Sequence, residues 1–324
     1  MKKKIAFLAV IILAVATIAV AIFLDRRGNE NSEKAFVPGL YQTGAAELYA
    51  SGNVDTLEDM LIMSWADLVK NEILYVKATR VYTQYQIVDG KIVNASSSAL
   101  AGDLILPSDG SVTYLGYADL EGRTAFAGCT ELTGIYVPAI IKDMCDDTFR
   151  DCTALTDVYF HPDSKFVDFH QGNFRGCTSL TQFTIPDNVT LIGKNVFADC
   201  VNLQEIRFGT YSKVEKIREN AFAGCTALQS IILPKSLLTT DVSVFAGCDN
   251  LKTVEFLAPI YIDKDFWGTT SVTTIRFNCN APLFTADAFA GMTVTIYYPV
   301  ENSSWIPEMC QSYGGTVNWL PLEG

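Results

Sequence analysis

Charge is scarce in this sequence. Only 19% of its 324 residues are Asp, Glu, Lys or Arg, and the balance is acidic, 24 basic side chains against 36 acidic ones, a net −12. Without a basic excess there is nothing to meet a phosphate backbone, which argues against the nucleic-acid-binding classes. Histidine is nearly missing, with only His161 and His170. No G-x-S-x-G, H-E-x-x-H or Walker pattern occurs, so the common nucleophile, zinc-protease and phosphate-cradle chemistries have no motif to rest on. No long stretch reads as disordered. What is present in quantity is apolar: 49% of the chain, enough for a large core.

The apolar content begins at once. Lys2, Lys3 and Lys4 precede 20 uncharged residues, Ile5 to Leu24, in which Thr17 is the only polar side chain. A helix of that length spans about 30 Å, the thickness of a bilayer core. The apolar region of a secretory signal is shorter, about 7–15 residues. The length therefore favours an uncleaved transmembrane anchor at 5–24 with a cytoplasmic tip at 1–4, and a cleaved signal with a secreted product is the alternative. Residues 25–38 are polar and read as a linker.

Beyond residue 100 the chain repeats itself. Phe stands at 126, 149, 174, 197, 222, 245, 266 and 289, with gaps of 23, 25, 23, 25, 23, 21 and 23. Cys comes three residues after the first six, and an apolar residue, mostly Leu, three after that (Leu132 through Leu251, then Val272). Two more apolar columns come next, for example Ile206 and Phe208, and the segment ends repeatedly in proline, at Pro138, Pro186 and Pro234. The unit is F-x-G/D-C-x-x-L-x-x-φ-x-φ, with φ apolar. The φ-x-φ step puts both side chains on one face of a short strand. Apolar pairs such as Val189 and Ile192 lie eight and five residues before most of the Phe residues. One coil cannot bury these columns alone; stacked coils share a continuous core.

The run Ala221-Phe222-Ala223-Gly224-Cys225-Thr226-Ala227-Leu228 and the return path Asp187 to Phe197 resemble the BspA-like class of bacterial leucine-rich repeats. The resemblance covers roughly residues 100–298. It implies a leucine-rich repeat solenoid, with short parallel β-strands stacked coil on coil and an irregular or short-helical convex side. It also implies a cell-surface protein that binds other proteins or cells; with no catalytic motif and only two His, neither catalysis nor a cofactor is expected. Departures lie at the ends of the array: Val112 to Arg123 is longer than one return path, Thr240 replaces an apolar residue, and Thr269 stands where Cys would.

The resulting organisation places an N-terminal cap region at 39–98, the array at 99–298 and a C-terminal cap at 299–324. Within 39–98, Ser64-Trp65-Ala66-Asp67 has the form of a helix start, and Tyr75 to Val88 reads as strands. Trp305, Trp319 and the Gly314-Gly315 pair suggest a compact end.

The cysteines pose the sharpest chemical question. An exported chain with nine Cys invites disulfides, and neighbouring coils would bring 129–152, 177–200 and 225–248 within bridging reach. The competing reading is a column of buried reduced thiols acting as small hydrophobes; the identical slot in every coil favours it. Spacings of 23–25 residues do not resemble a zinc site. The acidic run Asp143, Asp146, Asp147 and Asp151 matches no EF-type loop and reads as a solvated turn.

In each strand the residue between the two φ positions and the one before the first point away from the core. Stacking aligns Tyr136, Asp157, Tyr159, Gln182, Thr184, Glu205, Arg207, Ile232, Glu255 and Arg276 on one candidate partner-binding face. Tyr and Arg are enriched at binding hot spots. The expected partners are an extracellular protein, a glycan, or a bacterial or host cell surface, with residues 5–24 in the membrane. The alternative is a structural envelope or spacer protein without a specific ligand.

Overall fold

The computed structural model describes residues 86–88, 91–93, 102–106, 112–115, 126–269 and 271–322. The proposed anchor at 5–24, the linker and the helix start at Ser64 lie outside these residues. Among the described residues no helix is long and apolar enough to cross a membrane.

The repeat becomes a parallel β-solenoid. Each φ-x-φ segment is a short strand: Leu132–Val137, Asp157–Phe160, Gln182–Ile185, Glu205–Phe208, Ser230–Leu233, Thr253–Phe256, Thr274–Phe277 and Thr293–Tyr298. Gly102–Ile105 pairs in parallel before the first of these, with a register shift at Gly102 and Asp103. A second row, the return face, carries two-residue strands: Tyr114–Leu115, Asp143–Met144, Asp168–Phe169, Leu191–Ile192, Lys216–Ile217, Thr239–Thr240, Tyr261–Ile262 and Leu283–Phe284. An antiparallel hairpin, Gln86–Val88 with Lys91–Val93, joins the return face by pairing with Tyr114–Leu115.

The turn between the two faces holds the core together. Phe126, Phe149, Phe174, Phe197, Phe222 and Phe245 are fully buried. Their rings stack face to face with centroids 5.1, 5.5, 5.6, 5.7 and 5.9 Å apart and interplanar angles of 4–12°. Main-chain bonds tie the same turns, for example Phe174 N–H to Val196 O (2.9 Å), Phe197 N–H to Ala221 O (2.8 Å) and Phe222 N–H to Val244 O (3.0 Å). To make this turn the backbone enters the left-handed region twice, two residues before each Phe and two after. Asp147, Asn195, Asn220 and Ser243 occupy the first slot beside Gly172. Asp151 (φ 59°) and Asp199 (φ 63°) occupy the second beside Gly176 and Gly224 (both φ 73°). Only Gly, and less readily Asn and Asp, adopt that conformation cheaply, which explains the alternation of G and D in the repeat unit.

The Leu column and the return-path columns are buried as expected, Leu155, Leu180, Leu203, Val189 and Ile192 all fully. Three φ positions differ from expectation. Phe160 and Phe208 pack against the core yet stay half-exposed, as does Val158.

The C-terminal end is built differently. A short helix, Lys264–Trp267, replaces the turn, with Asp263 as N-cap (2.9 Å to Phe266 N–H) and Gly268 in the left-handed region behind it. Phe266 meets Phe245 edge-on at 90°, and Trp267 fills the space beside it. Strand Thr316–Pro321 then pairs in parallel with all of Thr293–Tyr298. The sheet therefore continues beyond residue 298, where the sequence pattern placed the end of the array. Trp305, Tyr313 and Trp319 close this end, with Trp305 Nε1–H donating to Cys279 O (3.0 Å) and Trp319 Nε1–H to Gln311 O (2.9 Å).

Candidate binding face

The register brings the outward residues into rows. Gly134 lies beside Asp157 and Tyr136 beside Tyr159; Gln182 lies beside Glu205 and Thr184 beside Arg207. The C-terminal rows are longer: Ser230, Thr253, Thr274, Thr295 and Asn318 in one, and Ile232, Glu255, Arg276, Tyr297 and Leu320 in the other. Thr295, Tyr297, Asn318 and Leu320 were missing from the sequence-derived set. Extending the same alternation through Val294/Ile296 and Val317/Trp319 would have found them.

The face changes character along its length. At the N-terminal end the Tyr136 and Tyr159 rings stack at 5.4 Å. Tyr136 is only 7% exposed, which corrects its placement among the exposed candidates. Strand Gly102–Ile105 runs along one side with Ile105 in register with it, and the Tyr159 ring covers the other. Tyr159, Asp157 and Gln182 are half-buried. In the middle, Arg207 grips the Glu205 carboxylate through two hydrogen bonds of 2.7 Å, and those bonds hold Glu205 below the usual carboxylate range. Towards the C-terminal end Ile232 is 52% exposed. Arg276 stands 4.7 Å over the Tyr297 ring, a cation–π geometry. Glu255 accepts from Asn278 Nδ2–H at 2.7 Å. Thr184 is exposed, and Glu255 and Arg276 are half-buried.

The residues with other chemical potential are engaged in the turns. Asp143 Oδ1 meets His170 Nε2 at 2.9 Å, and Asp146 Oδ1 accepts from Gln171 N–H. Arg150 pairs with both Asp147 and Asp151. His161 Nδ1 accepts from Asp163 N–H at 2.9 Å. Among the described residues no group of three or more His, Cys, Asp or Glu is placed to hold a metal ion. An open hollow of about 350 Å³ on the return face is lined by His170, Lys194, Arg218, Asp146, Glu219 and Asp241. Most of its charges are paired, Lys194 with Glu219 at 2.8 Å and Arg218 with Asp241 at 3.3 Å, and Asp146 accepts from Gln171 N–H.

The cysteine column is a ladder of thiols. Each Sγ–H donates to the carbonyl of the Phe one coil earlier: Cys152 to Phe126 (3.0 Å), Cys177 to Phe149 (3.2 Å), Cys200 to Phe174 (3.1 Å), Cys225 to Phe197 (3.2 Å) and Cys248 to Phe222 (3.0 Å). All nine cysteines are free thiols. Burial pushes Cys200 and Cys248 up to about 12, so the thiolate, the reactive form, is suppressed.

The repeat described as BspA type Leucine rich repeat region matches this chain in six copies, over residues 121–212 and 167–296, together more than half of its length. No curated protein sequence matches the chain. Among solved structures, a leucine rich cell surface protein from Faecalibacterium prausnitzii is similar at 16% identity and TM-score 0.40, covering 74% of this chain and 93% of that one. A leucine rich repeat protein of T. pallidum shares 19% identity at TM-score 0.42, covering 64% and 85%. The pneumococcal vaccine antigen PcpA shares 14% at TM-score 0.39, covering 72% and 92%.

Proposed function

Because the chain belongs to the BspA-type leucine-rich repeat family, we propose that it is a bacterial surface protein that captures an extracellular protein, a glycan or a cell surface through its outward strand face. Residues 5–24 hold it in the membrane with the solenoid outside. The observation that carries the reading is the C-terminal sheet. Five strands in unbroken register bring Ile232, Arg276 and Tyr297 onto one surface, and Tyr and Arg are the types that anchor interfaces. The scaffold supplies geometry and the outward side chains supply selectivity, since function resides in sites carried by a fold. A spacer role is favoured by a different observation, the run of six stacked rings, which gives the array a shape independent of any ligand.

The test displays the full chain on cells and offers matrix proteins, glycans and bacterial cells. Capture that is lost in Ile232→Lys with Arg276→Glu, at unchanged melting temperature, supports the binding face. Capture that survives the double substitution moves the site elsewhere, and no capture at all supports the spacer. Retention in the membrane fraction after a high-pH wash, with the solenoid removed by protease added outside, checks anchor and sidedness together; a mature chain starting between residues 17 and 30 refutes the anchor.

A further inference from the structure

The strand face is not one sheet. Asp157–Phe160 pairs with the coil before it but not with Gln182–Ile185, and Glu205–Phe208 pairs with Gln182–Ile185 but not with Ser230–Leu233. Two local features coincide at both breaks. The chain takes six residues from Phe160 to Phe166 and from Phe208 to Val214, against four from Ile185 to Val189 and from Leu233 to Leu237. These are the 25-residue gaps of the repeat. In addition, the residue after the φ-x-φ step normally donates to the preceding coil, as His161 N–H does to Val137 O (2.9 Å), Leu257 N–H to Leu233 O (3.2 Å) and Asn278 N–H to Phe256 O (2.9 Å). After each break that residue is proline, Pro186 or Pro234, which has no N–H to give. Pro138, Pro186 and Pro234 stand 48 residues apart, so up to Pro234 the coils alternate, one ending in proline and one carrying two extra residues, although the strand before Pro138 keeps its pairing with Gly102–Ile105. The breaks also account for the half-exposure of Phe160 and Phe208: each ends the last strand before an opening.

The other walls differ between the two breaks. At the second, the return strands Leu191–Ile192 and Lys216–Ile217 remain paired. At the first, Asp143–Met144 and Asp168–Phe169 are unpaired with each other; Asn173 Nδ2–H to Cys145 O and the His170–Asp143 contact cross instead. The turn is closed at both. Phe149 N–H reaches Asn173 O (2.8 Å) and Phe197 N–H reaches Ala221 O (2.8 Å), with the rings stacked.

We propose that the solenoid flexes along two hinge lines on its strand face, between 157–160 and 182–185 and between 205–208 and 230–233, with the phenylalanine turn as the spine. The first line is the looser, because it lacks return-face pairing as well. The outward face is then three plates of variable angle, and a partner that spans a line fixes that angle. The hinge lines rest on ladder geometry alone and hold whether or not the face binds.

The experiment measures distances between spin labels on the full chain, with Cys145, Cys279 and Cys310 replaced by Ala and the buried column left in place. Labels at 157 and 230 span both lines; labels at 230 and 295 span the same number of coil steps, each about 4.8 Å, in continuous sheet. The expected distance distribution is about twofold broader for the first pair, as collective hinge motion requires. Equal widths overturn the proposal. Pro186→Ala, which restores an N–H, should narrow the 157–230 distribution, and so should deletion of Pro162 with Asp163. Widths unmoved in both variants overturn the assignment of the hinge to these features. The parental comparison decides on its own if the deletion variant does not fold.

Discussion

The central coils and the C-terminal end invert each other. From Phe126 to Phe245 the aromatic rings are stacked within 12° of parallel while the strand ladder is broken twice. From Ser230 to Pro321 the ladder is continuous over five strands while the rings of the turns meet edge-on or tilted, Phe245 with Phe266 at 90° and Trp267 with Phe289 at 43°. Regularity in one wall of a solenoid therefore does not enforce it in another. The turn is governed by Phe, the left-handed slots and the thiol. The strand face is governed by the residues just past the second φ position. Each can drift while the other is kept.

This contrast can be broken, most forcefully at its centre. Phe197 stacks on Phe174 and Phe222 and touches Phe183 at 4.8 Å. Phe197→Ala should cost about 3–5 kcal/mol in denaturant melts, the range for deleting a buried aromatic. Trp319 is half-exposed in the terminal cap, and Trp319→Ala should cost clearly less; equal costs would place the mechanical centre wrongly.

The turn slots give the next effect. Gly176 has φ +73°, and an added Cβ would clash with Asp151 Oδ1. Gly176→Ala should cost about 1–2 kcal/mol for the left-handed backbone alone. Asp199→Gly, in the same slot one coil later, should change stability by less than about 0.5 kcal/mol, because relief of strain opposes loss of the Arg175 contact. A smaller effect belongs to the thiols. Cys200→Ala removes the donor to the Phe174 carbonyl and should cost about 1 kcal/mol. A thiol reagent at pH 8 should leave the six-Cys column unlabelled until the protein unfolds, whereas a stoichiometric 177–200 linked peptide would refute the ladder of free thiols.

Smallest is the Arg207 pair. Arg207→Ala should shift stability by no more than about 0.5 kcal/mol, as for other exposed pairs. Its signature is in pH. With Arg207 present, Glu205 is held below the usual carboxylate range, so the pair contributes fully above that range and fades as pH falls through the lowered value. In the variant the Glu205 titration followed by NMR should move up towards an ordinary carboxylate.

Much of the array was readable because its columns repeat. Phe, Cys, Leu and φ recur in phase, and a residue that must be buried in every coil leaves an unmistakable period. The inward and outward alternation was equally legible, down to Arg207 and Ile232. What escaped lay where neighbours decide. Tyr136 sits in an outward slot and is buried by the elements on either side of it, which no periodicity reports. The helix at Lys264–Trp267 arises from a coil two residues short, and its ring geometry is set by packing. The strand of Thr316–Pro321 carries the φ-x-φ alternation as Val317 and Trp319 but has no Phe or Cys to announce it. The 23 and 25 alternation was visible as numbers; only the ladder gave it physical meaning.

The hydrogen bonds between turns run both ways. Main-chain amides of the phenylalanine turn of one coil donate to the next coil along the chain, and the thiol of that turn donates back to the coil that precedes. A ribosome delivers the coils in order, N-terminal first. Every newly delivered coil therefore finds a carbonyl already waiting for its thiol, while its own turn amides stay with water until the next coil arrives. The growing end of the nascent protein is always unfinished on the same side. The row of waiting amides closes only when Phe289 N–H reaches Tyr313 O, so the segment that seals the stack leaves the ribosome after every coil it closes.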